Sequence, residues 1–308
     1  MTDIEPDLKI GRFTGGDRLV AQLRGSLTAE IVETLNRSSF EGLDIGPGSF
    51  PDLEPLVDVR RKIKRLSIRA VSIDWKALNN LEAVESMYLD GENYEGLDFA
   101  SFPNLKHLEL HTNTKYKNIL MTSRSLEALK IIGCGKESLD FFGELPSLRY
   151  LLVAGARKLE SLDGLDRAHN LCYLELERNP KLLDISRMSS CKKLKYLKIS
   201  YCKNIKNIKS ILNVHTLEEL RFDAKLDSLA FLKKLKKLKI LRFSCDVDDG
   251  DLSFLYEMDS LRSVAFNNKR NYSVKLAEIH QHLESKGYVQ NGTEQNMHGF
   301  PSGWSLVS

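Results

Sequence analysis

Apolar residues recur along this chain in a fixed frame. Leu171, Leu174 and Leu176 repeat as Leu194, Leu197 and Ile199, and again as Leu217, Leu220 and Phe222, each set 23 residues after the last. Upstream the frame continues as Leu148/Leu151/Val153, Leu126/Leu129/Ile131, Leu105/Leu108/Leu110, Val84/Met87/Leu89, Ile63/Leu66/Ile68 and Phe40/Leu43/Ile45. Downstream it continues as Leu238/Leu241/Phe243 and Leu261/Val264/Phe266, so the steps of 21 to 23 residues make eleven turns. The second and third apolar residues lie two apart, as on a short strand with one face in a core and the other toward solvent. A unit of this size cannot bury its apolar face alone, so consecutive units must stack.

The legs between these segments carry apolar residues at every third position, such as Leu159, Leu162 and Leu165, or Ile205, Ile208 and Ile211. That spacing predicts tight helical turns or extended chain rather than long α-helices. Three residues after the third apolar position stand Asn113, Cys134, Asn179 and Cys202 in four of the turns. The pattern over residues 40–270 resembles leucine-rich repeat proteins, in the short class that includes bacterial internalins and a eukaryotic phosphatase regulator. The resemblance implies an α/β solenoid of about eleven turns, with a parallel sheet on its concave face. It also implies that the Asn or Cys side chain turns inward and bonds the backbone where the chain leaves the strand. Turns without either residue must satisfy that corner differently.

Both ends depart from the repeat. Residues 1–39 read as an N-terminal cap: Leu8–Phe13 and Leu19–Arg24 flank Thr14–Asp17 as a hairpin, and Leu27, Ile31 and Leu35 follow Ser26, a candidate helix cap. Residues 271–289 read as a C-terminal cap, with Leu276, Ile279 and Leu283 on one helix face and Gly287 as the stop. Residues 290–308 lack periodicity and read as a tail, in which Phe300 and Trp304 are candidates for docking.

Composition narrows the function classes. With 42% hydrophobic and 28% charged residues the chain is expected to fold, and a net charge of +3 is too small by itself to imply a polyanion partner. No apolar run reaches the length of a membrane span, and the acidic stretch Met1–Asp7 does not read as a signal peptide. The five cysteines, Cys134, Cys172, Cys191, Cys202 and Cys245, are odd in number and form no C-x-x-C pair. Together these features predict a cytoplasmic protein without disulfides.

Candidate chemistry is sparse. Gly133–Ser138 superficially resembles a phosphate loop, but Lys130 stands where the first glycine belongs and Glu137 follows the lysine. His107, Glu109 and His111 alternate on one strand face, with Asp90 expected beside His111, as weak metal ligands; Lys130 in the next turn is expected to pair with Glu109 instead. Lys192, Lys193, Lys195, Lys198, Lys203, Lys206 and Lys209 form a basic run, with no acid from 185 through 217. In the repeat frame these lysines fall on several faces, which favours solvation over phosphate binding. No cofactor, resident metal or catalytic constellation is expected, and the chain reads as non-enzymatic.

The outward strand positions are more informative. Tyr150, Tyr173 and Tyr196 occupy one position in successive turns, and strands ~4.8 Å apart would make them a row. Around them stand apolar Ile132 and Leu152 and charged Glu175, Glu177, Lys198 and Arg221, with Tyr88, Glu109, Lys130 and Arg242 further along. A tyrosine row rimmed by opposite charges has the composition of a protein-binding hot spot. The expected function is a protein-binding scaffold whose strand face recognises a partner, as a regulator or as a toxin-neutralising, immunity-like protein. The alternative is a nucleic-acid-associated protein using the lysine strip at 192–209.

Overall fold

The computed structural model describes residues 2–5, 7–12, 19–69, 72–91, 94–111, 121–223 and 225–288. The expected turn Thr14–Asp17, the corner residue Asn113 and the tail at 290–308 lie outside the described residues. The chain divides into two compact units, one built mainly from residues 1–135 with 140–148, the other from 136–139 and 149–302.

In the first unit, β1 (Thr2–Glu5), β2 (Leu8–Gly11) and β3 (Val20–Leu23) pair antiparallel in sequence. The helix α1 (Ala29–Arg37) follows, and then β4 (Gly42–Ile45), β5 (Ser49–Phe50), β6 (Arg65–Arg69), β7 (Ser72–Ile73), β8 (Ser86–Asp90), β9 (His107–His111) and β10 (Ala128–Ile132). From β3 the ladder turns parallel and runs β3-β4-β6-β8-β9-β10, while β5 and β7 make a separate parallel pair. In the second unit, β11 (Tyr150–Ala154), β12 (Tyr173–Glu177), β13 (Tyr196–Ser200), β14 (Glu219–Phe222), β15 (Ile240–Phe243) and β16 (Ser263–Phe266) form a parallel ladder in chain order. The helix α2 (Leu276–Ser285) ends the described chain.

This is the leucine-rich repeat solenoid that the periodicity predicts. Each repeat contributes one strand, and the register aligns like positions: Leu174 pairs with Leu151 and Leu197, and Leu176 with Val153 and Ile199. The second and third apolar positions are almost fully buried in every turn, because a period of two puts both on one side of the strand. Return legs are short 3₁₀ turns, as at Glu54–Val59, Ala77–Asn80, Ser186–Ser190 and Ile208–Asn213.

The parallel ladder begins one strand earlier than the repeat arithmetic places it. β3 aligns Ala21 with Leu43 and Leu23 with Ile45, and both Ala21 and Leu23 are buried. A small alanine at the second apolar position hides this turn from a search for leucines. The helix cap also differs: Thr28, not Ser26, accepts the Ile31 amide at 3.2 Å. At the other end Gly287 takes a left-handed φ of 88° and donates to Glu284 O, a geometry that glycine adopts without strain.

The corners are satisfied in three ways. Asn179 is fully buried; its Nδ2 donates to Val153 O and its Oδ1 accepts from Ala156 N, both at 2.9 Å. Cys202 Sγ donates to Leu176 O at 3.6 Å. Elsewhere a tyrosine hydroxyl does the work: Tyr94 reaches Leu89 O and His111 O, and Tyr272 reaches Cys245 O. All five cysteines are free thiols.

Candidate protein-binding face

The parallel register brings the candidate residues into two sets, one in each unit. In the first unit Tyr88, Glu109 and Lys130 are consecutive cross-strand neighbours, and Ile132 pairs with His111. Lys130 Nζ lies 3.5 Å from Glu109 and His111 Nε2 lies 3.0 Å from the same carboxylate. Burial pushes the Glu109 carboxyl up, but the His111 hydrogen bond and the Lys130 charge outweigh it and hold the group below the usual range. The Tyr88 ring tilts against His111 at 5.0 Å, and burial, with the Asp90 charge, raises its phenol. Asp90 does lie opposite His111, yet among the described residues no group of three or more His, Cys, Asp or Glu could hold a metal ion. Ser86 bonds the His107 ring at 3.2 Å, and burial lowers the basicity of that imidazole.

In the second unit two rows run across the outward face. One aligns Tyr150, Tyr173, Tyr196 and Glu219; the other aligns Leu152, Glu175, Lys198, Arg221 and Arg242. Glu177 follows Ala154 in a third row. The tyrosines form the expected row, with Tyr173 and Tyr196 centroids 6.1 Å apart, but they are less exposed than a solvent-facing position implies. Tyr173 retains only 9% of its surface, and Tyr150 and Tyr196 are half-buried. The physical reason is crowding: large rings one strand spacing apart cover one another. Ile132 and Leu152 are likewise half-buried rather than open.

The charged residues around the rings are tied to one another. Tyr150 OH donates to Glu175 Oε1 at 3.1 Å, and Lys198 Nζ bridges Glu175, at 3.3 Å, and Glu177. Arg221 Nε holds Glu219 at 2.6 Å while its guanidinium lies over the Tyr196 ring at 5.6 Å, a cation–π contact. Glu219, although on the outward face, keeps only 2% of its surface. Arg242 Nε is buried without a hydrogen-bond partner. The face is therefore a pre-organised sheet of rings and paired charges, able to pack against another surface through ring edges, guanidinium and carboxylate groups.

Several residues were not legible as parts of a constellation. Asp44, outward by position, retains 6% exposure because Arg24 and Arg69 close over it at 2.8 and 3.0 Å. The basic run disperses as the repeat frame predicts: Lys198 lies on the strand face, Lys195 pairs with Glu218 at 3.2 Å, and Lys192 bonds Ser189 O. Arg178 and Tyr201 stand at strand exits where earlier turns carry Gly133 and Gly155, a substitution visible in the sequence once the turns are aligned.

No protein-family model and no curated protein matches the chain. Solved structures similar to it include three proteins of Listeria monocytogenes. An internalin, inlF, shares 17% identity over 82% of this chain and 83% of its own, with a TM-score of 0.48. Internalin C2 shares 17% identity over 80% of each chain at a TM-score of 0.24. The functional domain of InlJ, which includes a cysteine ladder, shares 14% identity over 75% of this chain and 54% of its own at 0.39.

Proposed function

We propose that the protein is a non-enzymatic scaffold that binds a protein partner through the outward strand face of the second unit. The observation that carries this reading is the in-register row Tyr150, Tyr173 and Tyr196, fixed by Glu175 beneath Tyr150 and by Arg221 over Tyr196. Rings held in place before binding lose little conformational freedom on contact, and tyrosine with arginine is the pairing enriched in interface hot spots. Among the described residues no helix is long and apolar enough to cross a membrane. Regulation of an enzyme and neutralisation of a toxin are the two roles that fit such a scaffold, acting by occlusion of the partner's surface.

A paired capture experiment tests the reading. Wild type and the Tyr150→Ala/Tyr196→Ala variant, both checked by thermal melt, are exposed to nuclease-treated lysate of the source organism. The reading expects a protein retained by wild type and lost with the variant. Identical capture by two equally folded baits would make the ring row purely structural.

A further inference from the structure

We infer that a second surface, the strand-exit edge of the second unit, is a docking strip for an acidic segment of a partner protein. It is distinct from the ring row, so either can fail without the other. In four successive turns the residue two places beyond the third apolar position leaves the strand with positive φ, whereas Pro47, Cys245 and Asn268 at the same position do not. Gly155 does so at 65°, as does Gly133 at the same position of the first unit at 80°. In the next two turns of the second unit the position holds Arg178, at φ 50°, and Tyr201, at φ 56°. An L-residue with a bulky side chain is strained there, and strain retained where glycine serves in neighbouring turns points to use of the side chain.

Both side chains are displayed outward. Tyr201 is 59% exposed, the most open large apolar side chain among the described residues, and the Arg178 guanidinium stacks on its ring at 5.6 Å. The strain is held in place by Asp223, whose carboxylate accepts the Tyr201 amide at 2.8 Å. Two or three residues past these exits stand exposed cations: Arg157, Lys158, Lys181 and Lys203. Among the described residues no ion pair engages any of the four, or Arg178. Of the bordering carboxylates, Glu177 is paired with Lys198, and Asp223, turned to the Tyr201 amide, leaves five cations against one carboxylate.

Charge complementarity therefore selects an acidic occupant. Successive exits lie ~4.8 Å apart, so three turns span only ~10 Å, a width suited to one extended polypeptide rather than to a nucleic-acid duplex. Tyrosine and arginine at the centre of a cationic rim match a protein hot spot, where the rim steers encounter and the centre sets affinity.

The test uses fluorescence anisotropy of the full chain with a labelled glutamate-rich peptide carrying two leucines. Comparison probes are a neutral glutamine analogue and a single-stranded oligonucleotide of equal charge. The strip predicts saturable binding of the acidic peptide, weakened about tenfold by Arg178→Gly/Tyr201→Gly and by Lys158→Glu/Lys181→Glu/Lys203→Glu. The glycine pair relieves the strained turns, so its Tm is expected to hold or rise while binding falls. The proposal is overturned by undiminished binding in either variant, by no binding to wild type, or by tighter binding of the oligonucleotide. Loss of binding accompanied by a fall in Tm of the glycine pair would also count against it, since it would make these side chains structural.

Discussion

The Tyr150 hydroxyl donates a hydrogen bond of 3.1 Å to the Glu175 carboxylate one turn further along the solenoid. The bond joins the ring row to the charged row. It also places a phenol where its own ionisation is opposed first by burial and then by that carboxylate.

The pH dependence follows from those shifts. Burial, reinforced by Glu175, raises the phenols of Tyr150 and Tyr196 well above the ordinary 10.0. A raised folded-state value means that the contribution to stability is complete below pH 10 and is lost as pH rises beyond it, when the unfolded chain sheds those protons. Alkaline unfolding followed by circular dichroism should therefore steepen above pH 10 and flatten in Tyr150→Phe/Tyr196→Phe. At neutral pH Tyr150→Phe alone should cost about 1.5–3 kcal/mol in urea denaturation, as expected for a hydrogen bond to a charged acceptor.

Asn179→Ala should be among the more damaging single substitutions in the second unit. It removes the 2.9 Å hydrogen bonds that this buried side chain gives to the Val153 carbonyl and accepts from the Ala156 amide. The lost bond to Val153 and the buried Ala156 amide left without this acceptor together cost about 2–4 kcal/mol, read as a lowered denaturation midpoint. Asn179→Asp should not rescue it, because aspartate keeps the acceptor but loses the donor to Val153.

Asp44→Ala should destabilise the first unit by about 1–3 kcal/mol, because it removes the carboxylate shared by Arg24 and Arg69. The value is below that of a fully buried pair since both guanidiniums retain about a third of their exposure. Hydrogen exchange should locate the loss at Val20–Leu23 and Gly42–Ile45; protection unchanged in those strands would disprove the assignment.

The third apolar position of the last three turns is aromatic, and the rings stack: Phe222 on Phe243 at 5.9 Å and Phe243 on Phe266 at 5.0 Å. Phe243→Ala should cost about 3–5 kcal/mol through the cavity it opens, and Phe243→Leu markedly less. Calorimetry that finds the two variants equally destabilised would overturn the cavity account, since they differ in residual volume and share only the lost ring stack.

Much of this molecule can be read from residue order alone. A period near 22 residues sets the number of turns, and the two-residue alternation within each strand decides which side chains face the core. From these alone come the alignment of Tyr150, Tyr173 and Tyr196 and the pairing of Glu109 with Lys130, because a parallel ladder without slips places like positions side by side. What the frame does not carry is the depth at which an outward residue sits. Asp44, Tyr173 and Glu219 all point away from the core yet are covered, because neighbouring long side chains fold over them. Likewise β3 joins the parallel ladder through Ala21 rather than a leucine, and Arg178 and Tyr201 take a glycine conformation that their identities argue against. Direction is a property of one strand and is written locally; burial, pairing and strain are set by what the adjacent turns place a few ångströms away, and only the assembled structure decides them.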